Sequence, residues 1–98
     1  MSALRTRAML DPAARPSLPR HVRIQYDPVR QAFAVLSPEK IFWPNEISLE
    51  ILRRCDGHSS VERIVAELAR DYDAPLDAVA EDVVAFLQEW SDKLLVRL

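Results

Sequence analysis

The side chains of this chain that could do chemistry are few, and their spacing assembles no catalytic set. His21 and His58 stand beside a strand-like start and in a turn between helix-like stretches, with no carboxylate or cysteine at metal-ligand spacing. Cys55 is the single cysteine. A nucleophilic thiol needs an activating base, whereas Cys55 falls on an apolar helical stripe, the place of a buried small hydrophobe. Glu81 and Asp82 are adjacent, so on a helix they project about 100° apart and form a solvated face rather than an acid/base pair. One glycine, Gly57, leaves no loop to cradle phosphate. The expectation is a protein without catalytic residues, bound metal or cofactor, hence not an enzyme.

Composition narrows the class further. The 98 residues are 49% hydrophobic and 29% charged, which suits one globular domain with a modest core. The net charge of −2 gives no bulk reason to approach nucleic acid or an anionic membrane. It is unevenly placed: residues 1–23 hold five arginines and one aspartate (+4), and the other eight basic and fourteen acidic residues make −6. No run of about 18 apolar residues exists to span a bilayer. The start lacks a secretory apolar core, so a cytoplasmic location is expected, and the lone cysteine fits a reducing compartment.

The elements that must position any site follow from periodicity. Residues 1–18, with Pro12 and Pro16 among alanines, serines and arginines, show no useful period and are expected to form a flexible tail; 19–98 is the expected domain. Val22, Ile24 and Tyr26 alternate with Arg23, Gln25 and Asp27, the pattern of a half-buried strand. "DPVR" makes a turn, and residues 31–36 return as the second strand of a hairpin. Residues 40–43 give a third short strand, ended by Pro44. Three helices fill the rest. Ile47, Ile51, Leu52 and Cys55 recur at helical spacing, with Gly57 as the stop. Ser59 and Glu62 make a capping box for a stripe of Val61, Ile64, Val65, Leu68 and Tyr72. The last helix starts near Pro75, at its first position, and runs to about Lys93. The fold class expected is α+β and winged-helix-like, a three-stranded antiparallel sheet followed by three helices.

Two adjacent elements carry more apolar surface than a small core needs. Ile41, Phe42 and Trp43 are three bulky residues in a row, which puts apolar groups on both faces of a strand. On the last helix Val79, Val83, Val84, Phe86, Leu87 and Trp90 span an arc of roughly 160°, wider than the ~100° stripe that seats a helix on a core. Such a pair defines a groove. For Phe42 and Trp43 themselves, core packing and an exposed binding role both remain open, as does pairing of the strand edge with a second copy of the chain. A DNA-binding winged helix is the alternative fold-level reading, but the last helix sets Asp77, Glu81, Asp82, Glu89 and Asp92 against Lys93, which would repel phosphate.

The phrases "RHVRIQYDPVRQAFAVLSPEK", "ILRRCDG" and "EDVVAFLQEWSDKLL", in this order and spacing, resemble the PqqD family of pyrroloquinoline quinone (PQQ) biosynthesis over residues 19–95. The resemblance rests on Arg23, Asp27, Val29 and Arg30, on Leu36, Pro38 and Glu39, on Ile51, Leu52, Cys55, Asp56 and Gly57, and on Asp82, Val83, Phe86 and Leu87. "IFWPNEIS" departs from it, since the family more often has aliphatic and acidic residues there. It implies a peptide chaperone, a recognition element that binds the ribosomal precursor peptide PqqA and presents it to the radical S-adenosylmethionine enzyme PqqE. It further implies that the peptide lies against the third strand and third helix. The peptide-binding residues expected are Lys40, Ile41, Phe42, Trp43, Val83, Val84, Phe86, Leu87 and Trp90, with no nucleic acid or membrane as partner and a homodimer as an open possibility.

Overall fold

The computed structural model describes residues 10–98. Alternation builds the hairpin of β1 (Arg23–Asp27) and β2 (Ala32–Leu36), which pair antiparallel with Ile24 opposite Val35 and Tyr26 opposite Phe33. The Tyr26 and Phe33 rings meet edge-on at 4.9 Å, a cross-strand contact that fixes register. The turn is closed by Asp27, whose Oδ1 accepts from the backbone N–H groups of Val29 and Arg30. Gln31 takes a left-handed φ of 52°, so the return strand starts one residue later than its apolar pattern predicts.

Strand β3 (Ile41–Phe42) completes the sheet in the order β1-β2-β3. It is two residues long rather than four. Lys40 belongs to the turn, where its carbonyl accepts from the Ser37 N–H (3.0 Å) and hydroxyl (2.9 Å), and Trp43 meets Pro44.

Helices α1 (Glu46–Arg53), α2 (Val61–Asp71) and α3 (Leu76–Asp92) follow. The Asn45 side chain caps α1 by accepting from Ser48 N–H at 2.8 Å. The chain leaves this helix through Arg54, in right-handed geometry, and Gly57, with φ +81°, serves the next turn instead of the cap. Ser60, not Ser59, caps α2 by accepting from the Arg63 N–H at 3.1 Å, and the Glu62 N–H that Ser59 would have capped donates to the Pro12 carbonyl. Pro75 stands one place before the first turn of α3, as its N-cap. Ile47 and Tyr72, expected on apolar stripes, are exposed at the ends of their helices, and the Tyr72 hydroxyl donates to Glu46 at 3.1 Å.

The core gathers Val35, Ile51, Leu52, Ile64, Val83 and Leu87, all less than 2% exposed, and burial of each such side chain stabilises the fold by roughly 1.5–3 kcal/mol. Beyond α3, Leu94 turns the chain with a left-handed φ of 63°, and Leu95 and Val96 return to the core.

The expected tail is corrected over its second half, while residues 1–9 lie outside the described residues. Pro16 is fully buried, and Leu10, Ala14 and Leu18 pack on the core. The carbonyls of Pro12, Ala14 and Pro16 accept from the N–H groups of Glu62, Val61 and Gly57, and Ser17 exchanges two backbone hydrogen bonds with Arg97. Segment 10–16 thus satisfies first-turn donors of α2 that a helix cannot satisfy itself. Prolines suit the task, since they lack a donor but keep the acceptor.

Candidate functional site

Among the described residues, strand β3 has β2 on one side and no strand on the other. The hydrogen-bonded pair Ser37 and Lys40 opens its ladder, so pairing alternates from there: Phe42 turns its backbone to β2, and Ile41 and Trp43 turn theirs to the free edge. Side chains alternate likewise. Phe42, opposite Val35, points to the core side, and Ile41, opposite Leu36, points away.

On the core side the sheet meets α3 through aromatic rings. Phe42 lies 5.3 Å from Trp90, which stacks on Phe86 at 5.0 Å with an interplanar angle of 25°. Two ammonium groups rim Phe42: Lys40 at 5.2 Å and Lys93 at 6.0 Å from its ring centre. Lys93 is also paired with Glu89 at 3.0 Å. Phe86, half-buried one turn before Trp90, carries this stack along α3, whereas Val84 lies about 200° from Phe86 around the helix, exposed on the opposite flank of the apolar arc.

Of the nine expected site residues, five stand on this surface: Lys40, Ile41, Phe42, Trp43 and Phe86. The other four are corrected, Val84 because it is exposed on the far flank of α3. Val83 and Leu87 are 1% and 0% exposed and belong to the core, and Trp90, at 7%, is covered by Phe42 and Phe86. They seat the helix and the rings. The wide apolar arc therefore divides, its middle facing the core, its Phe86 flank reaching β3 and its Val84 flank reaching the surface elsewhere. Lys93 and Arg30 were missed. Lys93 reaches Phe42 from the end of α3, and Arg30 lies over the Trp43 ring at 5.1 Å. Alternation along Ile41 and Trp43 pointed to the face that Arg30 covers, but not to Arg30.

The remaining reactive groups stay apart. His21 and His58 are exposed. Cys55 is buried, with its thiol donating to the Ile51 carbonyl at 3.3 Å and its pKa pushed up to about 12 by burial, which keeps it a thiol. Among the described residues no cluster of three His, Cys, Asp or Glu side chains could hold a metal ion, and no helix is long and apolar enough to cross a membrane.

Fold and surface thus define an α+β module with an open strand edge beside an apolar helix flank. The family described as coenzyme PQQ synthesis protein D (PqqD) matches residues 33–96, and the chain belongs to it. It is 43% identical over 81 residues to the PqqA binding protein of Bradyrhizobium diazoefficiens, covering 83% of this chain and 79% of that one. A PqqA binding protein of Rhodopseudomonas palustris is 44% identical with the same coverage. Among solved structures, the PqqD truncation of Methylobacterium extorquens PqqCD superposes with a TM-score of 0.76 at 28% identity, over 91% of this chain and 95% of that one. That protein is described as a functional, stand-alone recognition element for ribosomally synthesized and post-translationally modified peptides. PqqD from Xanthomonas campestris gives a TM-score of 0.58 at 32% identity, over 84% and 91% of the two chains.

Proposed function

We propose that this chain is a peptide chaperone of PQQ biosynthesis, which binds the precursor peptide PqqA along the free edge of β3 and delivers it to PqqE in the cytoplasm. The observation that carries the reading is the edge itself: the backbone groups of Ile41 and Trp43 face outward beside the Phe86–Trp90 stack of α3. An extended peptide satisfies such groups by adding a strand, with affinity from main-chain hydrogen bonds and selectivity from pockets at alternate side chains. The relatives that bear the name PqqA binding protein support the choice of peptide.

In this reading Ile41 and Trp43 supply the backbone partners, and Phe42 and Phe86 supply the apolar wall. Lys40 and Lys93 supply positive charge at its rim. Trp90, Val83 and Leu87 hold the wall in place from beneath. Hydrogen exchange with synthetic PqqA tests the edge. The amides of Ile41 and Trp43 should slow on saturation while those of α2 stay unchanged; protection confined to α2, with peptide bound, would exclude the site. Sedimentation of labelled PqqA with PqqE tests delivery, since a faster species should form only when this chain is added.

A further inference from the structure

The sheet face turned away from α3 holds a cleft of about 340 Å³. Ala34 lies on that face, opposite Gln25, yet is only 4% exposed. Ala34, Leu36, Ile41 and Trp43 give the cleft an apolar lining, and Asp27 and Arg30 stand at its rim. The two rim charges answer each other, with Arg30 Nη1 held 3.0 Å from Asp27 Oδ2, and the same guanidinium lies over Trp43. What the cleft leaves unsatisfied is therefore apolar surface: Ile41 and Trp43 are still 54% and 46% exposed.

We propose that this cleft is a second subsite for the bound peptide, taking one large apolar side chain from the strand face that looks away from α3. The inference rests on the edge-strand reading above and extends it to the opposite face. A segment paired with Ile41 and Trp43 must alternate its side chains between the two faces. One set meets Phe42 and Phe86. The other set emerges beside Ile41 and Trp43, because neighbouring strands are only about 4.8 Å apart. From there a long apolar side chain reaches across Ile41 to Leu36, its partner in the ladder. The volume lies near the small end of ligand cavities, roughly 300–1,000 Å³, and fits one such side chain better than a separate molecule. The consequence is a rule of selectivity: the peptide is read at two consecutive apolar residues, one for each face.

The test is an NMR experiment on the full chain, labelled at the methyls of alanine, leucine, isoleucine and valine and at the phenylalanine rings, with unlabelled synthetic PqqA. Intermolecular NOEs from the Ala34 and Leu36 methyls to one peptide side chain are expected, alongside NOEs from the Phe86 ring. Trp43→Ala should weaken binding roughly tenfold, the scale of a lost aromatic anchor, with Ile41 still protected at saturating peptide. Arg30→Ala, which leaves β3 unchanged, should weaken it by a smaller factor. NOEs from the Phe86 ring alone, with unaltered affinity in both variants, would overturn the second subsite and leave the edge-strand reading standing. Bound peptide without protection of Ile41 would overturn both. Shifts of the Ala34 and Leu36 methyls on concentrating the chain without peptide would assign the cleft to a second copy, and so overturn the inference.

Discussion

Helix α1 is joined to α2, and β3 to α3, by unlike means. Between α1 and α2 a single guanidinium, that of Arg54, reaches Glu50 at 2.8 Å, Glu67 at 3.0 Å and Asp71 at 3.1 Å, and donates to the Glu50 carbonyl as well. Glu67 is tied on its other side to Arg63 at 2.9 Å. Directional donors there have found acceptors within the chain, so this seam has little left to offer a partner. Between β3 and α3 stacked rings meet, with the Lys93 ammonium over Phe42, and among the described residues no strand pairs with the outer edge of Ile41 and Trp43. A seam closed by polar groups holds one helix to another; one closed by stacked rings beside an open edge is, on the proposed function, the side that binds. The two seams share no helix and meet only in the common core.

The sharpest way to break the comparison is to attack the layer that both seams share. Val83 is buried beneath the aromatic seam and packs α3 into the common core. Val83→Asp places a carboxylate with no partner there, at several kcal/mol, comparable with the whole stability of a small domain. Circular dichroism should show an unfolded chain, and a cooperative transition near that of the parent would mean that α3 is not seated as described.

Next in size is the loss of residues 1–16. The segment 10–16 carries three carbonyl acceptors and the buried Pro16, so its removal should cost about 2–4 kcal/mol, a drop of more than roughly 8 °C in Tm. An unchanged midpoint would restore the reading of this segment as a free tail. The hairpin and the three helices were legible because side-chain period encodes them. This segment was not, since it docks through backbone carbonyls, and a row of acceptors has no period in residue type. Arg54 escaped notice for a related reason: Glu67 and Asp71 are remote in sequence, and nothing local announces that α2 brings them to one guanidinium. Similarly, periodicity placed Val83, Leu87 and Trp90 on the right helix but could not say how wide a strip the core takes.

Arg54→Met keeps the volume of the α1–α2 seam and removes its charge, leaving three carboxylates together. The expected loss is roughly 1–2 kcal/mol, between that of an exposed ion pair and that of a buried one broken on one side. Chemical denaturation would measure it, and peptide affinity should stay within about twofold if the seams are independent. Acid should act more weakly on the same seam. Hydrogen bonds from Arg63 and then Arg54 hold Glu67 below the usual carboxylate range. A group with a lowered folded pKa stabilises above its unfolded value and loses that contribution as pH falls through the folded one. Thermal midpoints should therefore decline below about pH 4, and the part due to Glu67 should vanish in Arg54→Met with Arg63→Met.

The smallest effect on stability belongs to the open seam. Lys40 is exposed, its ammonium meets no carboxylate among the described residues, and its nearest partner is the Phe42 ring. Lys40→Glu should therefore change stability by no more than about 0.5 kcal/mol, the usual range for a surface substitution. The backbone of residue 40 is held by Ser37 in either case, so the free edge at Ile41 stays as it is. What changes is the field at the lip of the groove, where one of two cations flanking Phe42 becomes an anion. Titration with PqqA at low and high salt reads this directly. If acidic residues of the peptide pass this lip, affinity should fall at low salt and the loss should shrink as salt screens it. Destabilisation equal to that of Arg54→Met would show that the open seam carries the fold after all, and would remove the distinction between a side that holds and a side that binds.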